Sequence, residues 1–407
     1  MSNIRLLALF FSTIRIMKKF ALTLIMILSV ISTYAYPVLS DSTVISLLTY
    51  DKTPEVYAMY GHTALRVKDE PNHVDMIFNY GTFDFNSPNF IYRFTKGDAE
   101  YILSVQEFRD VMIESYITHR SVREQILNLK QSEKQHIFEA LMTNAEEQNR
   151  AYKYNFIFDN CSTRPRLIVE NNINGKLEYR DSIPTQTFRQ LIHGCIDKNQ
   201  WLTFGIDLIL GSELDRKASY KEQMFLPAYL EDGFNRAVII DSAGVERNLV
   251  SSDQKILPGE TVKIETEPFL LTPNFITGLL MVVVFALSFL GFRKKRLYNW
   301  LDAILFLTYG LTGCIIFFMV FVSIHPATNP NFVLFTLHPL HLLFAIACLI
   351  PALKRHLGYY HIANAAILAV FLLLVQFLPQ TFSLAFLFLT FALFFRSLFR
   401  TLLWIKR

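Results

Sequence analysis

Cysteine is scarce in this 407-residue chain: of four, Cys314 and Cys348 fall in hydrophobic runs, and only Cys161 and Cys195 lie in the more polar part. That excludes a disulfide-dense secreted scaffold and leaves one bridge, Cys161 to Cys195, as the alternative to a reactive thiol. His, Cys, Asp and Glu nowhere cluster at metal-ligand spacing, and no glycine-rich phosphate loop occurs, so neither a metal nor any other cofactor is expected. Internal repeats and low-complexity tracts are missing as well. Outside residues 36–272 the only acid is Asp302, beside 14 Lys and Arg, whereas residues 36–272 hold 25 Lys and Arg against 34 Asp and Glu, a balance of −9. The net charge of +4 is thus the sum of an acidic globular part and basic flanks. It gives no support to a nucleic-acid partner.

What the chain has in excess is apolar surface: 52% hydrophobic residues and 37 phenylalanines indicate a membrane protein. Lys18 and Lys19 precede the apolar run Phe20 to Ile31, and Thr33-Tyr34-Ala35 supplies small residues for signal-peptidase cleavage, so residues 1–35 read as a signal peptide or N-terminal anchor, with Met17 an alternative start. Five segments near 274–291, 300–324, 332–351, 361–378 and 382–403 are each long enough to cross a bilayer as a helix. Arg293 to Arg296, Lys354 to His356 and the C-terminal Lys406 and Arg407 are basic, while 323–331 and 379–381 carry no Lys or Arg. The positive-inside rule puts the basic loops in the cytoplasm and the neutral loops, with the exported residues 36–272, on the outer side of the inner membrane. Residues 273–407 then form an all-α membrane domain of five helices.

Residues 36–272 mix strands and helices. Val44 to Tyr50, Val56 to Val67, Met76 to Tyr80, Glu100 to Gln106 and Ser121 to Leu129 are rich in β-branched and aromatic residues, and Pro71-Asn72 marks a hairpin loop between the second and third. Glu107 to Tyr116 reads as a short helix. Ser132 with Gln135 makes a capping box for a helix running to about Arg150. The strand-like run from Asn155 gives way at Cys161 to a helix that ends near Asn172. Further on, Pro184 to His193 reads as a helix stopped by Gly194, Trp201 to Leu210 as another, and 238–240 with 247–250 as a closing hairpin.

A thiol at a helix N-terminus meets unpaired N–H groups and a partial positive charge, which favours the thiolate and makes Cys161 a candidate nucleophile. His62 enters an apolar strand and is the candidate base, although a histidine merely satisfied on a half-buried strand fits the same pattern. Asn79 or Asp84 would orient its ring, unless either is a turn residue. The backbone N–H of Cys161 or Ser162 would serve an oxyanion hole. Arg164 and Arg166 suit an anionic substrate, or else pair with Glu170 on the helix surface. His325, Asn329, Asn331, His338 and His341 gather near the outer ends of the second and third membrane helices, a position for headgroup or substrate binding. Tyr80, Asp84, Arg164, Asn331 and His338 are therefore the candidate substrate-binding residues. Asp302 is expected to pair with the Arg293 to Arg296 cluster.

Three motifs, Gly61-His62-Thr63-Ala64-Leu65-Arg66, Asn79-Tyr80-Gly81-Thr82-Phe83-Asp84-Phe85 and Asp159-Asn160-Cys161-Ser162-Thr163-Arg164, together resemble the Lnb family. The similarity extends to Met224-Phe225-Leu226-Pro227, Asn329-Pro330-Asn331 and His338-Pro339-Leu340, the last carrying histidine where the family often has asparagine. The resemblance implies an α+β, circularly permuted papain-like (NlpC-like) periplasmic domain in which histidine precedes cysteine. It also implies lipoprotein N-acylation, in which an acyl chain moves from a phospholipid donor to the amine of a diacylglyceryl lipoprotein acceptor through a Cys161 thioester. A membrane-anchored cysteine hydrolase, acting on peptidoglycan or phospholipid, and a non-enzymatic scaffold are the competing readings.

Overall fold

Strands buried on both faces at its centre build a seven-stranded antiparallel sheet in the computed structural model, which describes residues 17–19, 36–55, 58–180, 185–196, 199–259 and 266–406. Most of the expected leader, 1–35, lies outside the described residues. In chain order the sheet and its helices are β1 (Val44–Tyr50), β2 (His62–Asp69), β3 (Val74–Thr82), α1 (Phe90–Lys96), β4 (Glu100–Glu107), α2 (Phe108–Ile117), β5 (Val122–Leu127), α3 (Gln131–Ala145), β6 (Ala151–Lys153) and α4 (Thr163–Asn172). There follow β7 (Lys176–Tyr179), α5 (Phe188–Ile196), α6 (Gln200–Ile209), α7 (Tyr220–Gln223), α8 (Pro227–Arg236), β8 (Ala237–Ile240), β9 (Glu246–Asn248) and β10 (Val250–Leu257). The sheet order is β10-β5-β1-β2-β3-β4-β6, and β7-β8-β9 form a second sheet. Side chains two apart share a face. Ile45, Leu47, Leu65, Val67, Phe78 and Tyr80 accordingly pack with α3 and α8 in the main core. Leu48, Tyr50, Ala64 and Ile77 pack with Val111 of α2 on the other face.

Several boundaries differ from expectation for identifiable reasons. Of the strand expected from Val56, residues 56–57 lie outside the described residues, and the described strand begins at His62, because Gly61 takes φ +79° and a Cβ there would meet Tyr50 O at 3.0 Å. The run from Asn155 is a turn, since Asn155 Oδ1 accepts the N–H groups of Ile157 and Phe158, each at 3.0 Å. Helix α3 is capped at Lys130, whose backbone N–H is bonded by Glu133 at 2.7 Å, so Ser132 lies inside the helix and the expected Ser132–Gln135 box does not form. Gly194 lies within α5 and does not stop it.

Among the described residues the five apolar spans are α9 (Pro273–Arg293), α10 (Asn299–Phe321), Phe332–Leu349, Leu357–Phe377, which contains α12 (Leu357–Leu374), and α13 (Leu384–Ile405). The third is broken: a 3-10 turn, Phe332–Phe335, is separated from α11 (Leu340–Leu349) by residues around Pro339, where proline lacks the N–H that a continuous helix needs. His338 therefore does not lie at an outer helix end. It stacks on His341, with ring centroids 3.9 Å apart, and its backbone packs on Gly313 in the middle of α10. Asp302 also departs from expectation, pairing with Arg396 and Arg400 of α13.

The sheet domain is seated on the span ends that loop charge assigns to the outer side. Phe204 and Leu208 of α6 join the membrane core, and Asn331 Nδ2 donates to Leu208 O at 2.9 Å and Ile209 O at 3.1 Å. On the other side, Ile324 N donates to Lys96 O at 2.8 Å, and the His325 ring reaches Phe94 O at 3.0 Å. The two regions are thereby clamped at both α1 and α6.

Candidate active site

The ends of β2 and β3 carry His62 and Asn79 on one sheet face, where His62 Nε2 and Asn79 Oδ1 lie 2.6 Å apart. Asn79 Nδ2 donates to Gln106 Oε1 at 3.3 Å, which fixes the amide so that its oxygen faces the ring. An amide oxygen only accepts, so Nε2 carries a proton and Nδ1 is the ring nitrogen left to exchange one with the thiol.

Cys161 precedes α4 by two residues and is 8% exposed. Asn160 sets its position: Oδ1 accepts from Ser162 N at 2.8 Å and Thr163 N at 2.9 Å, while Nδ2 donates to Phe156 O at 2.6 Å and Phe225 O at 2.8 Å. Thr63 Oγ1 donates to Cys161 O at 2.5 Å, tying the cysteine to β2. Gly81 completes the seat. Its φ is +96°, at a bulge in β3, and a Cβ there would stand 3.6 Å from Cys161 Cβ, so a larger side chain would crowd the thiol.

Burial of the sulfur opposes its ionisation, but the charge of His62, its hydrogen bond to the thiol, the Thr63 N–H and the Ser162 hydroxyl together hold the Cys161 pKa below the ordinary cysteine value. The helix-end dipole is thus only part of the account. Tyr154 shows the other side of this coupling: burial, then the neighbouring thiolate, push its phenol well above the usual range. A thiol so placed beside an oriented imidazole is suited to attack a carbonyl carbon. No disulfide joins Cys161 to Cys195, and no metal cluster occurs among the described residues.

The remaining expected residues are dispersed. Tyr80 points into the main core and accepts from Asn144 Nδ2 at 2.9 Å. Asp84 is an exposed turn residue whose carboxylate accepts from Asn86 N at 2.8 Å. Arg164 forms a two-point ion pair with Asp159, at 2.6 and 2.8 Å, and lies 3.5 Å over the Tyr152 ring. Arg166 reaches Glu170 at 3.5 Å. Asn331 holds the seam to α6, and its Oδ1 accepts from Val333 N at 3.1 Å and Gln380 Nε2 at 3.2 Å. His338 is half-buried in the broken third span, with its Nδ1 enclosed and unpartnered. The Ser162 N–H, expected as an oxyanion donor, is given to Asn160. Sequence reasoning assigned no role to Asn160, Thr63, Tyr154 or Gln106. For Asn160 alone a signal was present, a capping residue just ahead of the cysteine.

Comparison with known proteins matches residues 37–194 to the Lnb N-terminal periplasmic domain and residues 264–407 to the Lnb transmembrane domain. No curated protein and no solved structure matches the chain.

Proposed function

Because this chain belongs to the Lnb family and is a multi-pass membrane protein with a periplasmic domain, we propose that it is a lipoprotein N-acyltransferase of the inner membrane. The observation that carries the reading is the Cys161 thiol, its ionisation favoured by a hydrogen-bonded His62 that Asn79 orients, in a domain clamped to five membrane helices. In this reading residues 36–272 form the periplasmic thiol domain, papain-like in a permuted order with histidine first, and 273–407 the membrane domain.

Cys161 Sγ attacks the ester carbonyl of a phospholipid. The thiol proton passes to His62 Nδ1, the C–S bond forms, the ester C–O bond breaks, and His62 gives that proton to the departing lysophospholipid oxygen. The α-amine of the diacylglyceryl lipoprotein then attacks the thioester, His62 takes the amine proton, and the thiolate leaves with an amide formed. The Cys161 N–H is the backbone donor left for the tetrahedral oxyanion. Both substrates lie in one leaflet, so fixing the domain on that leaflet raises the effective concentration of donor and acceptor at the thiol. Asn331 serves by holding that placement.

Purified protein given phospholipid and a labelled diacylglyceryl peptide is expected to add an acyl chain to the peptide amine. Release of free fatty acid with no N-acyl peptide would mark a hydrolase instead. Full cellular function retained by Cys161→Ala and His62→Ala variants would mark a scaffold.

A further inference from the structure

Beside the thiol and imidazole, the same end of the sheet holds a second set of polar groups that the reaction above does not use. Tyr50 closes β1 and is the register partner of His62 on β2 and of Val122 on β5, so residues 120–122, Tyr50 and His62 stand in a row across three adjacent strand ends. The Tyr50 and His62 rings are 5.8 Å apart, and the Arg120 guanidinium lies 5.3 Å over the Tyr50 ring. Arg120 Nε is committed to Asp51 O at 2.7 Å. Its Nη2, the Tyr50 hydroxyl and the Ser121 hydroxyl are all buried without a hydrogen-bond partner.

Unpartnered polar groups on adjacent strand ends, one of them cationic, are costly to leave buried, and an anion would satisfy them. Guanidinium offers paired planar N–H groups that match phosphate oxygens, which a neutral ester group does not need. Arg120 is also near enough to feel the charge of Cys161, along with those of Glu114 and Asp51. A glycerophospholipid carries its phosphate a few bonds from its ester carbonyls, so an anion held in this row would leave an acyl ester close to the sulfur. We propose that Arg120 Nη2 and the Tyr50 hydroxyl bind the phosphodiester of the acyl donor and so select phospholipid over neutral glyceride. This rests on the acyltransferase reading for the donor's role, but the binding itself does not require the chemistry.

The test uses the full chain in detergent and the diether analogue of dihexanoyl phosphatidylglycerol, which has no ester to cleave. The analogue is expected to protect Cys161 from iodoacetamide. In Arg120→Gln the concentration for half protection should rise about 10- to 100-fold, the worth of one charge-assisted hydrogen bond, with smaller rises for Arg120→Lys and Tyr50→Phe. The ratio of acyl transfer from dihexanoyl phosphatidylglycerol to that from dihexanoylglycerol should fall in the same order. Tyr50→Phe retains the ring under Arg120, so its result stands if Arg120→Gln does not fold. Equal protection in wild type and both Arg120 variants, or an unchanged donor ratio in Tyr50→Phe and Arg120→Lys, would overturn the proposal. Protection by inorganic phosphate at the same concentration as the analogue would overturn the lipid assignment. Protection that depends on Arg120, in a protein that moves no acyl chain, would support the phosphodiester site while sinking the acyltransferase reading.

Discussion

Asp302 in the membrane domain and Cys161 in the sheet domain are both buried ionisable groups, yet their neighbours treat them differently. Asp302 is fully enclosed and receives Arg396 Nε at 2.6 Å and Nη2 at 2.9 Å, with Arg400 Nε 3.2 Å and His361 Nε2 3.4 Å away. Arg396 Nη2 also donates to the carbonyls of Leu297 at 2.6 Å and Tyr298 at 3.0 Å. The cluster ties α10, α12 and α13 together and offers little to a visitor. Around Cys161 the polarity is left open: the thiol has a base beside it, and Tyr50, Arg120 and Ser121 keep unpartnered donors. The contrast teaches that a buried charge whose partners are all internal is a bracket, whereas unmatched donors near a thiol–imidazole pair are where the proposed substrate would complete the set.

The comparison is sharpened first by removing its two centres. Cys161→Ala should lower acyl transfer by at least about a thousandfold, because no thioester can form, while thermal unfolding stays close to wild type. His62→Ala should cost on the order of 10²–10⁴ in rate. Since His62 holds the thiol pKa down, its loss should also move the iodoacetamide-reactivity curve of Cys161 to higher pH. Asp302→Ala should behave in the opposite way, lowering the stability of the membrane domain by about 3–5 kcal/mol through two orphaned arginines and leaving the pH profile of Cys161 alkylation in place. Equal loss of alkylation at Cys161 in this variant would break the distinction.

Smaller effects test the supports. Asn79→Ala removes one hydrogen bond from the His62 ring and should cost roughly tenfold in kcat, with little change in unfolding temperature. Asn331→Ala should loosen the seam between α6 and the third span by about 1 kcal/mol, read as an earlier thermal transition and easier proteolysis near Leu208, with Cys161 alkylation unaltered.

Much of this contrast was legible in the residues. Strand β1 and the five spans announce themselves by composition over a local window, and Cys161 and His62 by chemistry at the end of an apolar run. Tyr50 and Arg120 were not legible, because their meaning comes from three strand ends standing side by side, and nothing local in Tyr50-Asp51 or His119-Arg120 encodes that neighbourhood. Asp302 was assigned to the wrong partners for a related reason: Arg293 to Arg296 are near in sequence, while Arg396 and Arg400 reach it through the packing of α13. His338 illustrates a third cause. Its flanks are apolar enough for a continuous span, and only the break before Pro339 carries the histidine to the depth of Gly313.

Intact-protein mass spectrometry of the full chain, after brief exposure to phospholipid without acceptor, tests the central claim most directly. An acyl-sized mass increase on Cys161 that hydroxylamine removes, absent from Cys161→Ala, is the predicted result. A chain that stays at its native mass while Cys161 remains open to iodoacetamide, yet still transfers acyl groups to peptide, would contradict it.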